Sequence, residues 1–346
     1  MPRLPRFSPT KRVNDSPHVV ILGAGASRAA IGNAAPLMAD LVETVGLAPI
    51  LEQYGIAWIG KNFEDIYSDL ADSNRTPEPL SALEAVVRKY FYRLQIPKQT
   101  TLYDQLLLSL RPKDLIATFN WDPLLVHAYA RNRKRFPDSL PQMVQLHGDV
   151  ITGVCHKDRI RDYVHTRCQK CKETLPPIPL LWPIKKKDYA TDPFIKAQWD
   201  ALRAHLAEAY FVTIFGYGAP KSDVEAIKVM HSVWQENPTK ELAQIEIINT
   251  LSSAQSRRDW ANFIVRDHVS VHSHLRDSFL SRFPRRSCEA LAEATLQNDP
   301  WRGNPYPILT DLDQLHDWIT PLVAEEQELL HSGRAFSILP LSMKIG

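Results

Sequence analysis

No stretch of this chain is apolar for long enough to cross a bilayer. The first twelve residues, which carry Arg3, Arg6, Lys11 and Arg12 among prolines, have no apolar core of the length a signal peptide needs. Residues 1–16 therefore read as a flexible basic arm on a soluble cytoplasmic protein with no membrane partner. An excess of one charge is missing too: 41 Lys plus Arg against 39 Asp plus Glu leave a formal charge of +2, with no global footprint of a direct nucleic-acid binder. Two short basic runs, Lys185-Lys186-Lys187 and Arg285-Arg286, read as solvated faces. Cysteine is scarce. Four in 346 residues, two of them as Cys168-x-x-Cys171, fit a metal site or reduced thiols better than a disulfide framework. Internal repeats are absent. What is present is a 44% hydrophobic composition, enough for a real core in one large domain or two smaller ones.

The chain is organised around residues 19–30, VVILGAGASRAA. His18 to Leu22 is β-branched and apolar, as a strand buried on both faces of a parallel sheet requires. Gly23 and Gly25 let the backbone turn sharply and approach a ligand that a Cβ would hold off. Ala24, Ala26 and Ser27 keep the loop small, and the following helix directs its positive end at a pyrophosphate. The third glycine of the usual dinucleotide fingerprint is missing, because Arg28 stands at that spacing.

Beyond this corner, Gly32 and Pro36 break a helical composition and predict a short loop over the nucleotide. Residues 40–110 form an all-helical insert, with apolar spacing at Asn62 to Leu70, Leu83 to Leu94 and Tyr103 to Leu110. Buried strands are predicted at Asp114 to Phe119, Gln142 to Leu146, Tyr210 to Phe215 and Gln244 to Ile248. The first delivers Asn120-Trp121-Asp122 and a helix beginning at Pro123, and the second delivers His147-Gly148-Asp149. The third runs into a second glycine turn, Gly216 to Asp223, and the last ends at Asn249. Residues 151–177 change to a charged, cysteine-bearing texture that marks an inserted module. Residues 284–346 hold two helices, around Cys288 to Gln297 and Leu312 to Leu330, and read as a helical appendage or interface. The fold class is α/β, a doubly wound, Rossmann-like parallel sheet spanning residues 17–283, whose ligands gather at strand C-termini.

Four separated pieces, GAGAS at 23–27, TFNWD at 118–122, LHGD at 146–149 and a glycine turn followed by a strand ending in Asn249, fall in an order that resembles the sirtuin family. The similarity is greatest to divergent bacterial sirtuin-like NAD+ hydrolases of anti-phage defence. The resemblance implies that Gly23, Ala24, Gly25, Ala26 and Ser27 hold the NAD+ pyrophosphate, and that Asn120 and Asp122 lie near the nicotinamide ribose with His147. It also implies that Gly216, Tyr217, Gly218 and Asn249 surround the adenosine half. The chain departs from lysine-deacylating sirtuins at Ile31 to Met38, where no aromatic-Arg pair follows the first glycine turn. Leu181-Trp182-Pro183-Ile184-Lys185 replaces the Phe-Gly-Glu segment that helps cradle an acyl-lysine peptide.

Cleaving the bond between nicotinamide and ribose develops oxocarbenium character while a neutral group leaves, so a fixed conformer and an oriented water matter more than an acid. Asn120 offers a donor and an acceptor in one rigid group for a ribose hydroxyl and a water. His147 is a general base at neutral pH, and Asp122 orients the ribose or the amide. The same Asn, Asp and His residues equally suit turn and helix-cap roles. Trp121 and Tyr217 read as packing groups, although Tyr217 sits in the turn that faces the adenosine. A structural zinc with Cys168, Cys171, Cys155 and either His165 or His156 is expected in the inserted module, against free surface thiols. Cys288 reads as a free thiol. The expectation is an NAD+ glycohydrolase that drains cellular NAD+ as an abortive-infection effector. It would be a homo-oligomer held in check by assembly or by a co-encoded sensor such as a DNA-translocating ATPase. NAD+-dependent deacylation, ADP-ribosyl transfer and a non-catalytic NAD/ADP-ribose-binding signalling module are the alternatives.

Overall fold

The structure, a computed structural model, describes residues 16–73, 76–184, 187–295 and 303–332. Nearly all of the expected N-terminal arm, and Lys185 and Lys186 of one basic run, lie outside the described residues. The described residues form eight strands: β1 (His18–Leu22), β2 (Leu115–Thr118), β3 (Gln142–Gln145), β4 (Thr152–Cys155), β5 (Ile160–Tyr163), β6 (Phe211–Phe215), β7 (Gln244–Ile248) and β8 (Val269–His272). Six of them form one parallel sheet in the order β3-β2-β1-β6-β7-β8, so the order reverses between β1 and β6. Counted within the sheet this is the 3-2-1-4-5-6 arrangement of doubly wound folds, and its crevice opens beyond the C-terminal ends of β1 and β6.

Strand alternation decides what each face packs against. Val19 and Ile21 point, with Leu115, Val212 and Ile245, to a core built with Trp199, Leu202 and Leu206 of α8 (Pro193–Leu206) and Met230 and Trp234 of α9 (Val224–Glu236). Val20 and Leu22 point to the opposite core, with Ala26 of α1 (Ala24–Ile31), Leu106 and Leu107 of α6 (Leu102–Leu108) and Leu124 and Ala128 of α7 (Leu124–Arg133). Because both faces are covered, all five residues of β1 are buried, which is why Val19 to Leu22 reads as an unbroken apolar run.

The insert is helical as expected, comprising α2 (Leu41–Val45), α3 (Ala48–Gln53), α4 (Phe63–Ala71), α5 (Glu78–Tyr92) and then α6. Local capping fixes its starts. Asn62 accepts from the Asp65 N–H at 2.8 Å, and Thr101 and Asp104 form a reciprocal capping box at α6. The insert has its own core, in which Leu51, Phe63, Ile66, Leu83 and Val87 meet Trp121, Leu180 and Trp182 from the main body. It forms a roof over the C-terminal edge of the sheet.

Three departures from the sequence reading have physical causes. The four-residue β8, which pairs with β7, carries the alternating pattern Val-Ser-Val-His of an edge strand, too short and too polar to stand out. The module at 151–177 contains an antiparallel β4–β5 hairpin whose outer strand is exposed, hence its weak apolar signal. Arg285 and Arg286 are not solvated: both are almost wholly buried. The Arg285 guanidinium grips both carboxylate oxygens of Glu326 at 2.7 and 2.6 Å and donates to the Leu110 carbonyl at 2.8 Å, while Arg286 reaches Glu326 at 2.6 Å. That network and the packing of Leu315, Ile319 and Leu322 on Leu108, Phe136 and Leu140 seat α13 (Leu312–Ser332) on the body. Cys288, on α12 (Ser287–Thr295), is buried, and burial pushes its thiol up to about 12. Among the described residues no helix is long and apolar enough to cross a membrane.

Candidate active site

A cleft of about 430 Å³ opens at the reversal of strand order. Its floor is made by two glycine turns packed backbone against backbone. The Gly23 N–H donates to the Phe215 carbonyl at 3.0 Å and the Gly25 N–H to the Gly216 carbonyl at 2.9 Å. A Cβ on Gly23 would lie 2.6 Å from the Gly216 oxygen, and one on Gly216, whose φ is +63°, would lie 2.2 Å from the Ala26 nitrogen. These glycines are therefore demanded first by the approach of one turn to the other. With Gly23 and Gly25 engaged, and the Ala26 N–H turned back to Gly23 at 2.9 Å, the N-terminus of α1 has no side-chain cap. Its dipole is directed at the cleft. Gly23, Ala24, Gly25, Gly216, Tyr217, Gly218 and Asn249 all border the cleft, whereas Ala26 and Ser27 are buried behind it.

Asn120 and Asp122 follow directly from β2. The Asn120 amide nitrogen donates to the Gly23 carbonyl and to Ser27 Oγ, each at 3.0 Å, and its Oδ1 has no partner among the described residues. Asp122 accepts from Ser27 Oγ at 2.6 Å and from the Leu124 N–H at 3.1 Å. Its carboxylate thus ties the glycine corner to the start of α7. Burial raises the Asp122 carboxyl to about 6, against the opposing pull of the Ser27 and Leu124 hydrogen bonds. Ser27 also meets the Tyr103 hydroxyl at 2.7 Å, so the insert, the glycine corner and β2 share one buried polar knot.

His147 lines the same cleft from the end of β3. Burial lowers it to about 3, Asp223 pulling it up and Lys187 pushing it further down. Asp223, at the end of the second glycine turn, accepts from the Tyr217 hydroxyl at 2.7 Å and pairs with Lys187. Lys187 is therefore a buried counter-ion, which corrects the solvated reading of the basic run: its ammonium also donates to the Ser222 carbonyl at 3.1 Å. Tyr217 stacks on Phe119 with centroids 4.2 Å apart, so its ring is a wall of the cleft.

The roof is clamped in place. Arg28, where the third glycine was missing, donates to the Ala35 carbonyl at 2.6 Å and pairs with Asp40, holding the loop that brings Pro36, Leu37 and Met38 over the cleft. Glu64 accepts from the Ser222 N–H at 2.7 Å and joins the insert to the second glycine turn. Trp121 packs 4.8 Å from Trp182, which stacks on Tyr67 at 5.4 Å. Of these, Asp223, Lys187 and Glu64 escaped sequence reasoning. Only the closeness of Asp223 to the glycine turn could have signalled any of them.

In the inserted module Cys155, Asp158, Cys168 and Cys171 bring their ligand atoms within 4.8 Å of one another. The Cys155 and Cys171 sulfurs are 3.6 Å apart and Cys168 lies 3.2 Å from Asp158. Tetrahedral zinc with sulfur at about 2.3 Å sets ligand edges near 3.8 Å, so the three thiols and one carboxylate fit that ion. The side chain placed beside the three thiols as candidate fourth ligand is Asp158, rather than His165 or His156. His165 is exposed in a turn with φ +66°, and His156 is exposed one residue past Cys155.

No protein-family model matches this sequence, and no curated protein matches it. Among solved structures, it is similar to a Sir2 homologue in complex with NAD (15% identity, TM-score 0.43, covering 82% of this chain and 92% of that chain). It is similar also to a Sir2 homologue mutant in complex with 2′-O-acetyl ADP ribose (15%, 0.41, 83% and 93%) and to Sir2 bound to an acetylated peptide (13%, 0.35, 82% and 94%).

Proposed function

We propose that this chain is an NAD+ glycohydrolase, releasing nicotinamide and ADP-ribose. The observation that carries the reading is that Asn120 and His147, delivered by different strands, border one cleft whose floor is the paired glycine turns at the sheet's reversal point. The α1 N-terminus receives the pyrophosphate at Ala24, with Ser27 supporting it from behind, and the second turn with Asn249 takes the adenosine half. Asn120 Oδ1 takes a ribose hydroxyl or the water, since its nitrogen is already held by Gly23 and Ser27. As the bond from the anomeric carbon to the nicotinamide nitrogen breaks, its electron pair leaves with nicotinamide. The carboxylates of Glu64 and Asp122 on the cleft wall favour the positive charge left on the sugar. Water adds to that carbon, and its proton passes to His147.

Hydrolysis is favoured over acyl-lysine chemistry by Trp182. The segment that stands in place of a peptide-cradling one is instead buried in the roof against Tyr67 and Trp121. In the cell the same reaction would deplete NAD+ as an anti-phage defence. A homo-oligomer or a co-encoded sensor would restrain it, with the surface beyond residue 284 as the regulatory face.

Mass-resolved turnover by the purified chain tests this. Asn120→Ala and His147→Ala should each lower NAD+ consumption by about 10²-fold or more while the proteins stay folded. Unchanged consumption in both would reduce the chain to a binding module. Deacetylation of an acetyl-lysine peptide stoichiometric with nicotinamide would favour the deacylase alternative.

A further inference from the structure

The His147 imidazole is fixed by its neighbours, edge-on to Phe119 at 4.7 Å and nearly parallel to Tyr189 at 6.3 Å. Its Nε2 is wholly buried and has no hydrogen-bond partner, while Asp223 Oδ1 lies 3.6 Å away. Asp223 is itself restrained at both oxygens, by the Tyr217 hydroxyl on Oδ2 and by Lys187 on Oδ1. Lys187 is held in turn by the carbonyl and hydroxyl of Ser222 at 3.1 and 3.2 Å. A buried imidazole nitrogen facing a braced carboxylate has one low-cost state, in which Nε2 carries a hydrogen directed at the carboxylate. A closure of about 0.6 Å completes that bond, well within the tightening expected when a substrate fills a site.

We infer that Asp223 is the positioning residue of His147, fixing the proton on Nε2 so that Nδ1 presents its lone pair to the cleft, with Lys187 and Tyr217 bracing the carboxylate. The catalytic consequence rests on the NAD+-cleavage reading; the tautomer does not. When Nδ1 accepts a proton from the attacking water or a ribose hydroxyl, the imidazolium formed faces Asp223 across Nε2, and the proton leaves to solvent after ADP-ribose departs. The charged and titratable groups around the ring are Asp223, which favours the imidazolium, Lys187, which opposes it, and the Tyr189 and Tyr217 phenols. Glu64 stands one step further off, on the Ser222 N–H.

Asp223→Asn keeps the shape, with its amide oxygen held toward Lys187 and its nitrogen meeting the Tyr217 hydroxyl, but removes the negative charge that holds the hydrogen on Nε2, so the preference for Nε2–H over Nδ1–H weakens. In the full chain kcat should fall about 10²-fold with KM within about threefold, and ¹⁵N NMR of the histidine ring should move from a pure Nε2–H signature toward a mixture with Nδ1–H. Asp223→Glu should recover part of kcat. Lys187→Met, which leaves the carboxylate in place, should move the His147 titration upward, and gives a readout if Asp223→Asn does not fold. An unprotonated Nε2 in the wild-type chain, or equal kcat in wild type and Asp223→Asn, overturns the assignment. A wild-type chain showing the Nε2–H signature but no NAD+ turnover supports the assignment and removes the glycohydrolase reading.

Discussion

Asp122 and His147 are both buried beside the cleft, and burial moves them in opposite directions because it disfavours the charged form of each. The Asp122 carboxyl rises to about 6, so between pH 4 and about 6 the folded chain holds a proton that the unfolded chain has released. Its contribution to stability is full below that window and is lost as pH rises through it. His147 falls to about 3, so its part of the stability is lost as pH falls from about 6.5 toward 3. Asp122→Asn isolates the first effect, because an amide can still accept from Leu124 and donate to Ser27. Its stability relative to wild type should climb between pH 4 and 6 and level off above, as read by urea unfolding; a flat difference would mean that Asp122 titrates as an ordinary carboxylate. In activity, His147 stays neutral through the physiological range and gives no acid limb near 6.5. A limb near 6 that disappears in Asp122→Asn belongs to the carboxyl. Asn120 and His147 were legible because each is the first polar group after a predicted strand. Asp223 and Lys187 were not, since their pairing joins positions 36 residues apart and a lysine run looks solvated whenever its counter-ion is out of sight.

At the scale of elements, α13 owes its seat to a carboxylate that two buried guanidinium groups share. Glu326→Ala removes the carboxylate that pairs with Arg285 and leaves Arg286 to its longer pair with Glu325 at 3.7 Å, in a nearly water-free environment, and should cost about 3–5 kcal/mol in chemical unfolding. Asp317→Ala, on the same helix but in an exposed pair with Arg135 at 3.8 Å, should cost less than about 1 kcal/mol. Equal losses would show that packing rather than the ion network holds the helix. The main helices, and β1, β2, β3, β6 and β7, were readable from periodicity and run length, because both faces of the sheet are covered and the starts of α4 and α6 are capped by local sequence. The attachment of the C-terminal helices was not. Arg285 and Glu326 are 41 residues apart, and nothing near Arg285 in the sequence announces a carboxylate.

Across the whole molecule, the inserted module and the cleft are mechanically joined. The chain leaves the Cys155–Asp158–Cys168–Cys171 cluster, pairs Ile178 with Thr152, and donates from the Leu181 N–H to the carbonyl of His147 at 3.0 Å. Gly148, at φ +75°, lies so close to this returning segment that a Cβ would meet the Pro179 oxygen at 2.2 Å. Purified protein should therefore contain about one zinc per chain. Chelation or Asp158→Ala should lower Tm by several degrees and weaken nucleotide binding, as followed by metal analysis, thermal melting and calorimetry. Metal-free protein with an unchanged Tm in chelator would sink the zinc assignment.

The facing turns at Gly23 and Gly216 carry a consequence for anyone reshaping this protein. Because the base of the hollow is main chain touching main chain, no choice of amino acid there can retune which nucleotide is accepted without prying the sheet's two halves apart. Altered selectivity has to come from above, where Leu37, Met38 and Leu41 overhang and can be exchanged one at a time.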